Sequence, residues 1–514
     1  MLTSKFVFLF CNCDKSYIYI YYIRIYRLRF RGYFNEAFMT FKKILLPAFI
    51  GSAFFLGACG DDAPIAPNNP TPSSAVIIPS LSSSSGITPL PTSSAPVPAS
   101  SSAASIVVNY PPLATGANRT YALTNYTYWK AYHVSSVEQD MALYPSIASE
   151  FPLVFSAAFL PASRVIWANQ SSGYYKQACS VDDAVDNKFR ACTVSEGMGY
   201  GMLLAYFNGD DATFNSLWNY TRAFRDYEGT GLMPWITYSF HYSTPDNSSA
   251  TDADLDIATS LILMYYKTGN AMYLQDALVY VNALWNLEVN PANLLLYSGD
   301  TDLWKINDPA YNLSYFSPVA IRLFAMVDPA HNWTGVLDAM YAYMQKVQNA
   351  GTGVFPDWSN EAGVAVNPPN NSAANTYWTF NKESVRIPWR IAWDYYWYQD
   401  PRAATILAKL NTFISDKAKG DPNDMALAVN YSWNLTVGKD KNNPSVSSEW
   451  YAAWCATGIA GNAAWLNTCT MGMNNTVHAN GLPLWNSKSS YFSDILFTMY
   501  SGLLNGLFVR PAGI

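Results

Sequence analysis

Apolar residues recur at spacings of three, four and seven through most of the second half of the chain, as they do in helices that bury one face. Runs that alternate between apolar and polar residues, which would indicate half-buried strands, are few. The pattern predicts helices over 257–266, 273–289, 318–327, 336–347, 389–398, 402–417, 449–464 and 493–508. Loops rich in Asn, Gly, Pro and Ser separate them, and several are long, such as 352–376. We therefore expect an all-α body with long loops on one side.

The N-terminal part of the chain does not share this pattern. Residues 1–38 interleave Tyr and Ile with Arg, which suits neither a protein core nor a bilayer. Lys42 and Lys43 then precede the apolar run 44–55, which is too short for a membrane-spanning helix and typical of a signal peptide. The run leads into the letters LGAC, which resemble the lipobox of bacterial lipoproteins, whose cysteine, here Cys59, becomes the lipidated N-terminus.

These features divide the chain into four segments. We expect 1–38 to be an upstream extension before a true start at Met39, 39–58 a signal peptide, 59–105 a linker and 106–514 the folded domain. Ser and Pro dominate the linker, which carries no charge after residue 62 and is predicted to be a flexible to semi-extended tether. The lipid would be the only contact with a membrane, in the bacterial cell envelope at the outer membrane, the surface or the periplasm.

Composition narrows the class of ligand. Of the 514 residues, 50% are hydrophobic and 16% are aromatic, whereas only 13% are charged. A net charge of −6 argues against nucleic acid, which needs a basic face, and the apolar content excludes a disordered scaffold. A polytopic membrane protein would need several apolar runs of about 20 residues, and the sequence has none after residue 60. An aromatic, weakly charged surface suits neutral polyhydroxy ligands, because sugar rings stack on Trp and Tyr faces.

Seven cysteines occur, and four of them lie in the folded domain as two local pairs. Cys179 and Cys192 are 13 residues apart, and Cys455 and Cys469 are 14 residues apart. An even number in an exported protein favours disulfides, so we predict the bonds Cys179–Cys192 and Cys455–Cys469. The domain has no CxxC motif and the whole chain has only four His, so no metal site is expected.

Two acidic clusters stand out against the low charge. In SEGMGYGM at 195–202, Ser195 would cap a helix that has Glu196 in its first turn. Glu196 then either complements the helix dipole or points into a cleft that the glycines open to a polymer. In ATDADLDIA at 250–258, Thr251 and Asp254 fit a capping box, which needs only one of the three carboxylates. Asp252 and Asp256 are four residues apart and can share one helix face, where like charges repel and lower stability. Carboxylates kept at such a cost in stability indicate a functional role.

The two clusters, some fifty residues apart, resemble glycoside hydrolase family 8, whose bacterial members act on β-1,4-linked glucans, xylans or chitosan. Further matches follow in the order of that family: GLMPW at 231–235, SYFSP at 314–318 and VRIPWRIA at 385–392. The resemblance spans about residues 117–508 and makes 106–514 the catalytic domain. It implies an (α/α)6 barrel of the six-hairpin type with an open substrate cleft, hydrolysis with inversion, and no metal or organic cofactor.

The resemblance also implies roles for individual residues. Glu196 matches the general acid of the family, and Asp252 matches the aspartate that holds and distorts the sugar in the central subsite. The remaining matched positions are expected to bind substrate or support the site, and they are Trp235, Asp254, Asp256, Tyr315, Arg386 and Tyr491. Trp389 lies among apolar neighbours and is interpreted as core.

The expected catalytic base departs from the family pattern. The family has an aspartate three residues before the arginine that precedes PWRI, whereas this chain has Glu383 there. One extra methylene moves the carboxylate by about 1–1.5 Å if the backbone stays in place. Glu383 is therefore the predicted base, and the alternative is that it is structural and that Asp357 or Glu361 on the long loop is the base.

These observations predict a monomeric surface lipoprotein that cleaves internal β-1,4 bonds of a plant cell-wall polysaccharide. Cellulose-type or mixed-linkage glucan is the first choice of substrate and xylan the second. Chitosan is the third, because a polycation usually meets extra carboxylates in the cleft and this domain is poor in charge. A catalytically inactive surface protein that binds polysaccharide is the alternative from another class, and the departure at Glu383 is the reason to consider it.

Overall fold

The computed structural model describes residues 5–11, 17–26, 38–47, 110–143, 159–167, 192–225, 227, 229–238, 244, 246–306, 308–369, 377–435, 441–442, 446–475 and 491–514. The chain divides into two units, Met1–Val97 and Pro98–Ile514. The first contains an antiparallel sheet of β1 (Lys5–Cys11), β2 (Tyr17–Tyr26) and β3 (Phe38–Pro47), in that order. The predicted signal peptide overlaps β3, whereas Cys59 and the linker to residue 105 lie outside the described residues. The interpretations of these segments stay predictions.

The second unit is built from helices, as the apolar spacing predicts. Its described residues form thirteen α-helices, which are α1 (Arg119–His133), α2 (Val137–Leu143), α3 (Ser195–Phe207), α4 (Asp211–Arg225), α5 (Thr251–Thr268), α6 (Ala271–Leu287), α7 (Pro318–Val327), α8 (Trp333–Val347), α9 (Ile387–Tyr398), α10 (Pro401–Lys417), α11 (Ser448–Ala456), α12 (Ala463–Asn475) and α13 (Tyr491–Leu504). The strands are short antiparallel pairs, namely β4 (Val134–Ser136) with β5 (Ser163–Val165), β6 (Cys192–Val194) with β7 (Ile236–Tyr238), and β8 (Val429–Asn430) with β9 (Lys441–Asn442).

Twelve of these helices form two concentric rings. Helices α3, α5, α7, α9, α11 and α13 each pack against the next in this series, and α13 closes the ring against α3. Each inner helix also packs against one outer helix, from the set α4, α6, α8, α10, α12 and α1. Inner helices are enclosed on all sides, and in α5 every residue from Thr251 to Met264 is buried. The described helices thus form an (α/α)6 barrel, which confirms the predicted fold.

Local sequence explains most of the helix ends. The side chain of Asn270 caps α6 by accepting a hydrogen bond from the Met272 N–H at 3.0 Å. At the end of α5, Gly269 takes a left-handed conformation with φ of 71°, which costs glycine no steric strain. The predicted helix 449–464 is instead interrupted by a 3₁₀ turn, Thr457–Ala460, and by Gly461 at φ of 137°. Here the chain leaves an inner helix for an outer one, a reversal that apolar spacing alone does not reveal.

Two capping interpretations are wrong. The residues that precede α3 and α5 are Val194 and Ala250, and neither helix has a side-chain cap. Instead of capping, the Thr251 hydroxyl donates to the carbonyl oxygen of Tyr297 at 2.8 Å. The motifs therefore mark where the two helices start, but the Thr251 side chain makes its contact outside the helix that it begins.

One of the two predicted disulfides is present among the described residues. Cys455 on α11 and Cys469 on α12 are bonded, which links an inner helix to its outer neighbour. Cys192 is also in a disulfide, whereas its predicted partner, Cys179, lies outside the described residues. Within the part of the chain that the structure describes, no helix combines the length and apolarity needed to cross a membrane.

Candidate active site

Five candidate residues meet at one end of the barrel, where inner helices begin. Glu196 and Asp252 are the second residues of α3 and α5, and Tyr491 is the first of α13. Glu383 immediately precedes the 3₁₀ helix Ser384–Arg386, which leads into α9 and ends at Arg386. The N-terminal end of a helix carries a partial positive charge, so carboxylates are favoured there. The fold thus brings residues that are far apart in the sequence together in one cluster.

Arg386 connects the three candidate carboxyl groups. Its Nη1 donates to Glu196 and, at 3.1 Å, to Asp252 Oδ2, whereas its Nη2 donates to Glu383. The arginine side chain is only 5% exposed, and its guanidinium lies 5.4 Å from the centre of the Tyr315 ring. The rigid guanidinium fork therefore fixes Glu196 and Glu383 on two sides of a single cation.

A second contact orients Glu196. The Tyr491 hydroxyl donates to Glu196 Oε1 at 2.8 Å, so both oxygens of this carboxylate have a partner. Two glycines of SEGMGYGM permit close packing around this group, and their predicted role in admitting a polymer stays a prediction. A Cβ on Gly197 would lie 3.0 Å from the Tyr491 ring, and one on Gly199 would lie 2.8 Å from the Asp256 Cβ.

Asp252 is the most enclosed of the three carboxyl groups, with 2% of the residue exposed. Burial raises the pKa of its carboxyl to about 7; the Arg386 guanidinium opposes this shift and Glu196 adds to it. The backbone N–H of Ala253 donates to Asp252 Oδ1 at 2.9 Å. Asp252 thus lies at the inner wall of the site, where its surroundings favour the neutral carboxyl more than water does.

Glu383 is the most accessible of the three, with 28% of its side chain exposed. The side-chain amide of Asn312 donates to Glu383 Oε2 at 2.6 Å. Asn312 is itself held, because its Oδ1 accepts from the Ser314 N–H at 3.0 Å and from the Ser314 hydroxyl at 2.7 Å. Sequence reasoning missed Asn312, although it stands two residues before the matched motif SYFSP.

These residues surround a cavity of about 300 Å³. Its lining consists of Trp167, Val194, Ser195, Glu196, Trp235, Ala250, Asp252, Tyr315, Lys382, Glu383, Arg386, Tyr491 and Phe492. Trp167, which the sequence did not single out, meets Trp235 edge to face with ring centres 6.1 Å apart. Five aromatic rings beside a small group of polar side chains are typical of a ligand site.

Two of the matched aspartates lie outside this cavity. Asp256 pairs with the buried Arg390, whose Nη2 lies 2.8 Å from Asp256 Oδ2. Asp254 is fully buried, and burial raises the pKa of its carboxyl well above the usual value, with Glu288 and Asp300 adding to the rise. This position does not fit the predicted contact of Asp254 with substrate.

The two alternative bases also lie away from the cavity lining. Asp357 is buried and accepts hydrogen bonds from the segment that carries Glu383. Glu361 accepts from Asn293 at 2.9 Å and from the Tyr311 hydroxyl at 3.2 Å. Among the described residues, no group of three or more His, Cys, Asp or Glu is arranged to hold a metal ion.

The described residues thus form a double ring of helices with three carboxyl groups gathered in one cavity at an end of the barrel. Residues 149–430 match the family described as glycosyl hydrolases family 8. The chain belongs to this family.

Several proteins of known name are similar in sequence. "Endoglucanase 2" of Ruminiclostridium josui is 35% identical over 236 residues, which are 45% of this chain and 48% of that protein. "Endoglucanase A" of Acetivibrio thermocellus is 33% identical over 267 residues, 50% of this chain and 52% of that protein. "Beta-glucanase" of Niallia circulans is 30% identical over 331 residues, 60% and 78% of the two chains. The chain thus spans about half the length of the first two proteins and over three quarters of the third.

Solved structures share the fold. The apo β-1,3-1,4-glucanase of Paenibacillus sp. X4 superposes with a TM-score of 0.60 at 22% identity, covering 78% of this chain and 95% of that one. The xylose complex of Rex8A from Paenibacillus barcinonensis superposes with a TM-score of 0.52 at 21% identity, covering 62% and 84%. At these identities the likeness concerns the fold alone.

Proposed function

We propose that this protein hydrolyses internal β-1,4 linkages of a cellulose-type or mixed-linkage glucan, with inversion at the anomeric carbon. The observation that carries the proposal is the placement of Glu196 and Glu383 on two sides of Arg386 in one aromatic cavity. The names of the relatives, endoglucanases and a beta-glucanase, support a glucan as substrate.

In this proposal Glu196 protonates the oxygen of the leaving sugar. An inverting enzyme uses one carboxylic acid for this step and a carboxylate on the opposite face of the sugar to activate water. The Tyr491 hydroxyl, 2.8 Å from Glu196 Oε1, orients the acid. Because the same tyrosine lines the cavity, it would hold the acid and contact the sugar together.

Glu383 is the proposed base. Its contacts with Asn312 and Arg386 both use Oε2, so Oε1 is the oxygen that would take a proton from the attacking water. In this proposal, these donors hold the side chain of Glu383 so that it serves as the base where the family has an aspartate. Asp252 would bind the sugar from the inner wall, while the rings of Trp235 and Tyr315 would stack on it.

The experiment is a reducing-sugar assay with the full chain on carboxymethyl-cellulose, lichenan, xylan and chitosan. We expect release of reducing sugar from the two glucans. If none of the four substrates releases reducing sugar, the proposed hydrolytic activity is refuted. Glu196→Gln and Glu383→Gln should each lower kcat by about 10²–10⁴, the usual contribution of general acid–base catalysis. Glu361→Gln is the matched control and should keep its activity; the reverse pattern at 383 and 361 would move the base to Glu361.

The stereochemistry gives an independent test. Proton NMR of freshly formed product should show the α-anomer, because inversion of a β-linkage yields it. Fresh β-anomer would contradict the mechanism without contradicting the hydrolysis. If xylan is cleaved faster than both glucans, the substrate assignment is wrong while the catalytic roles stand.

We further propose that the protein is a lipid-anchored monomer of the bacterial envelope. The support is the predicted signal peptide 39–58, Cys59 in its LGAC motif, and the uncharged Ser/Pro linker to residue 105. Labelling with an alkyne fatty acid in a bacterial host should mark the wild type and not Cys59→Ala. Equal labelling of both would refute the anchor, and light scattering of the protein in detergent should give the mass of one copy.

A further inference from the structure

Asp357 is a buried carboxyl group that the proposed mechanism does not use. Only 5% of the residue is exposed, and it does not line the cavity. Its Oδ1 accepts three hydrogen bonds: from the Asn381 N–H at 2.9 Å, the Ser384 N–H at 2.9 Å and the Ser384 hydroxyl at 2.8 Å. One oxygen of Asp357 thus binds residues on both sides of Glu383.

These bonds close a tight turn over 381–384. The Ser384 Oγ also accepts from the Asn381 N–H at 2.8 Å, and the Val385 N–H donates to the Asn381 carbonyl at 2.9 Å. The side-chain carbonyl of Asn381 accepts from Asn430 at 2.9 Å, which ties the turn to β8. Because buried N–H groups need acceptors, removal of the Asp357 oxygen would leave the turn without its central partner.

The turn leads directly into the 3₁₀ helix Ser384–Arg386. The Arg386 N–H donates to the Glu383 carbonyl at 3.1 Å, so a backbone hydrogen bond joins the two site residues in one turn. A shift of this segment would displace the Glu383 carboxylate and also the guanidinium that holds Glu196. The position of both proposed catalytic groups therefore depends on the turn that Asp357 closes.

The charges around Asp357 agree with this placement. Burial raises the pKa of its carboxyl to about 7, and the nearby Glu383 adds to the rise. All three hydrogen bonds that close the turn end on Asp357 Oδ1. An uncharged oxygen in the same place could accept them equally. Asparagine keeps that oxygen and alanine removes it, so these two variants separate the acceptor from the charge.

We propose that Asp357 is a positioning residue for hydrolysis, which acts through Asn381 and Ser384 to fix Glu383 and Arg386 relative to Glu196. The inference rests on the proposed role of Glu383 as base.

The test compares Asp357→Ala with Asp357→Asn in steady-state kinetics on lichenan. Displacement of a catalytic group by about 1 Å costs about 100-fold in rate, so we expect alanine to lower kcat by about 100-fold and to change KM by less than about 2-fold. Asparagine should restore kcat to within about 5-fold of the wild type, because the acceptor oxygen is kept. Asp328→Asn, at the far end of α7, is the matched control and should keep the wild-type kcat.

Each other outcome overturns a defined part of the inference. A wild-type kcat for Asp357→Ala, or an equal loss of kcat in folded Asp357→Asn, would show that the acceptor does not position the base. If alanine prevents folding, Ser384→Ala takes its place, and an unchanged kcat there would overturn the inference. Glu383→Gln is measured in parallel: if it is inactive while Asp357→Ala is active, only this inference fails. If Glu383→Gln is active, the proposed mechanism fails and this inference fails with it.

Discussion

Replacement of Glu288 by glutamine should stabilise the folded protein at alkaline pH. Glu288 is fully buried, and its Oε1 accepts a hydrogen bond from the Ser249 hydroxyl at 2.5 Å. Burial raises the pKa of its carboxyl to about 8, although the Ser249 hydrogen bond opposes the shift, and Asp300 adds to it. The folded protein therefore keeps a proton here that the unfolded chain releases near its ordinary value of 4.5.

The sign and size follow from proton linkage. A raised pKa in the folded state contributes stability that is fully present below pH 4.5 and is lost as the pH rises through 8. At 1.36 kcal/mol per pKa unit, the span from 4.5 to about 8 corresponds to about 5 kcal/mol. Glutamine has no proton to lose, so this part of the pH dependence should disappear. In a barrel of this size, about 1 °C of Tm accompanies each kcal/mol, which gives about 5 °C.

The assay is thermal unfolding followed by circular dichroism at pH 5, 7 and 9. Relative to the wild type, Glu288→Gln should gain about 5 °C in Tm between pH 5 and pH 9. Glu361→Gln is the matched control, because Glu361 is exposed and should show no such gain. Parallel Tm curves for the wild type and Glu288→Gln would refute the reasoning, since they would mean that Glu288 takes up no proton on folding.

Three further predictions concern the site and the barrel. Asn312→Ala should lower kcat by about 10-fold with little change in KM, because Glu383 loses a 2.6 Å donor; steady-state kinetics would contradict this if kcat were unchanged. Gly199→Ala should lower stability by about 1–3 kcal/mol, because its Cβ would lie 2.8 Å from a side-chain atom of α5; an unaltered Tm would speak against it. Cys455→Ser should cost about 3 kcal/mol, because its bond to Cys469 closes a 14-residue loop; a Tm indifferent to this change and to reductant would rule it out.

Much of the helical content was predictable from the sequence, but the ring was not. The helix predicted over 318–327 has the same bounds in the structure as α7, because Pro318 starts it and its apolar residues are continuous. Apolar spacing shows which face of a helix is buried, but it does not show which neighbour covers that face. The closed ring of six inner helices therefore came from the family resemblance. Helix α1 was missed, because its Tyr, Thr and Asn residues weaken the apolar pattern. Helix α4 was also missed, although its buried residues Phe214, Leu217 and Trp218 recur at helical spacing.

The site was predictable only where its residues have a regular place in a motif. Glu196 and Asp252 stand at helix starts and could be recognised. Asp254 does not line the cavity, and helix geometry gives the reason: two residues correspond to about 200° of rotation, so its side chain leaves the opposite face from Asp252. Asn312 is an uncharged residue that caps a short 3₁₀ helix, and Trp167 lies in a loop. Neither position has a sequence pattern that would have identified it.

The spacing of the charged residues on α5 and α9 explains why one arginine remains available for chemistry. Asp252 and Asp256 are four residues apart on α5, and Arg386 and Arg390 are four apart on and just before α9, so the helices face each other with two ion pairs. In the deeper pair both oxygens of Asp256 bind Arg390, whose Nε donates to the Ser314 carbonyl at 3.2 Å, and neither residue lines the cavity. In the outer pair only one contact, at 3.1 Å, joins Arg386 to Asp252. Its remaining donors reach Glu196 and Glu383, so the deeper pair supports the barrel while the outer arginine organises the carboxyl groups of the site.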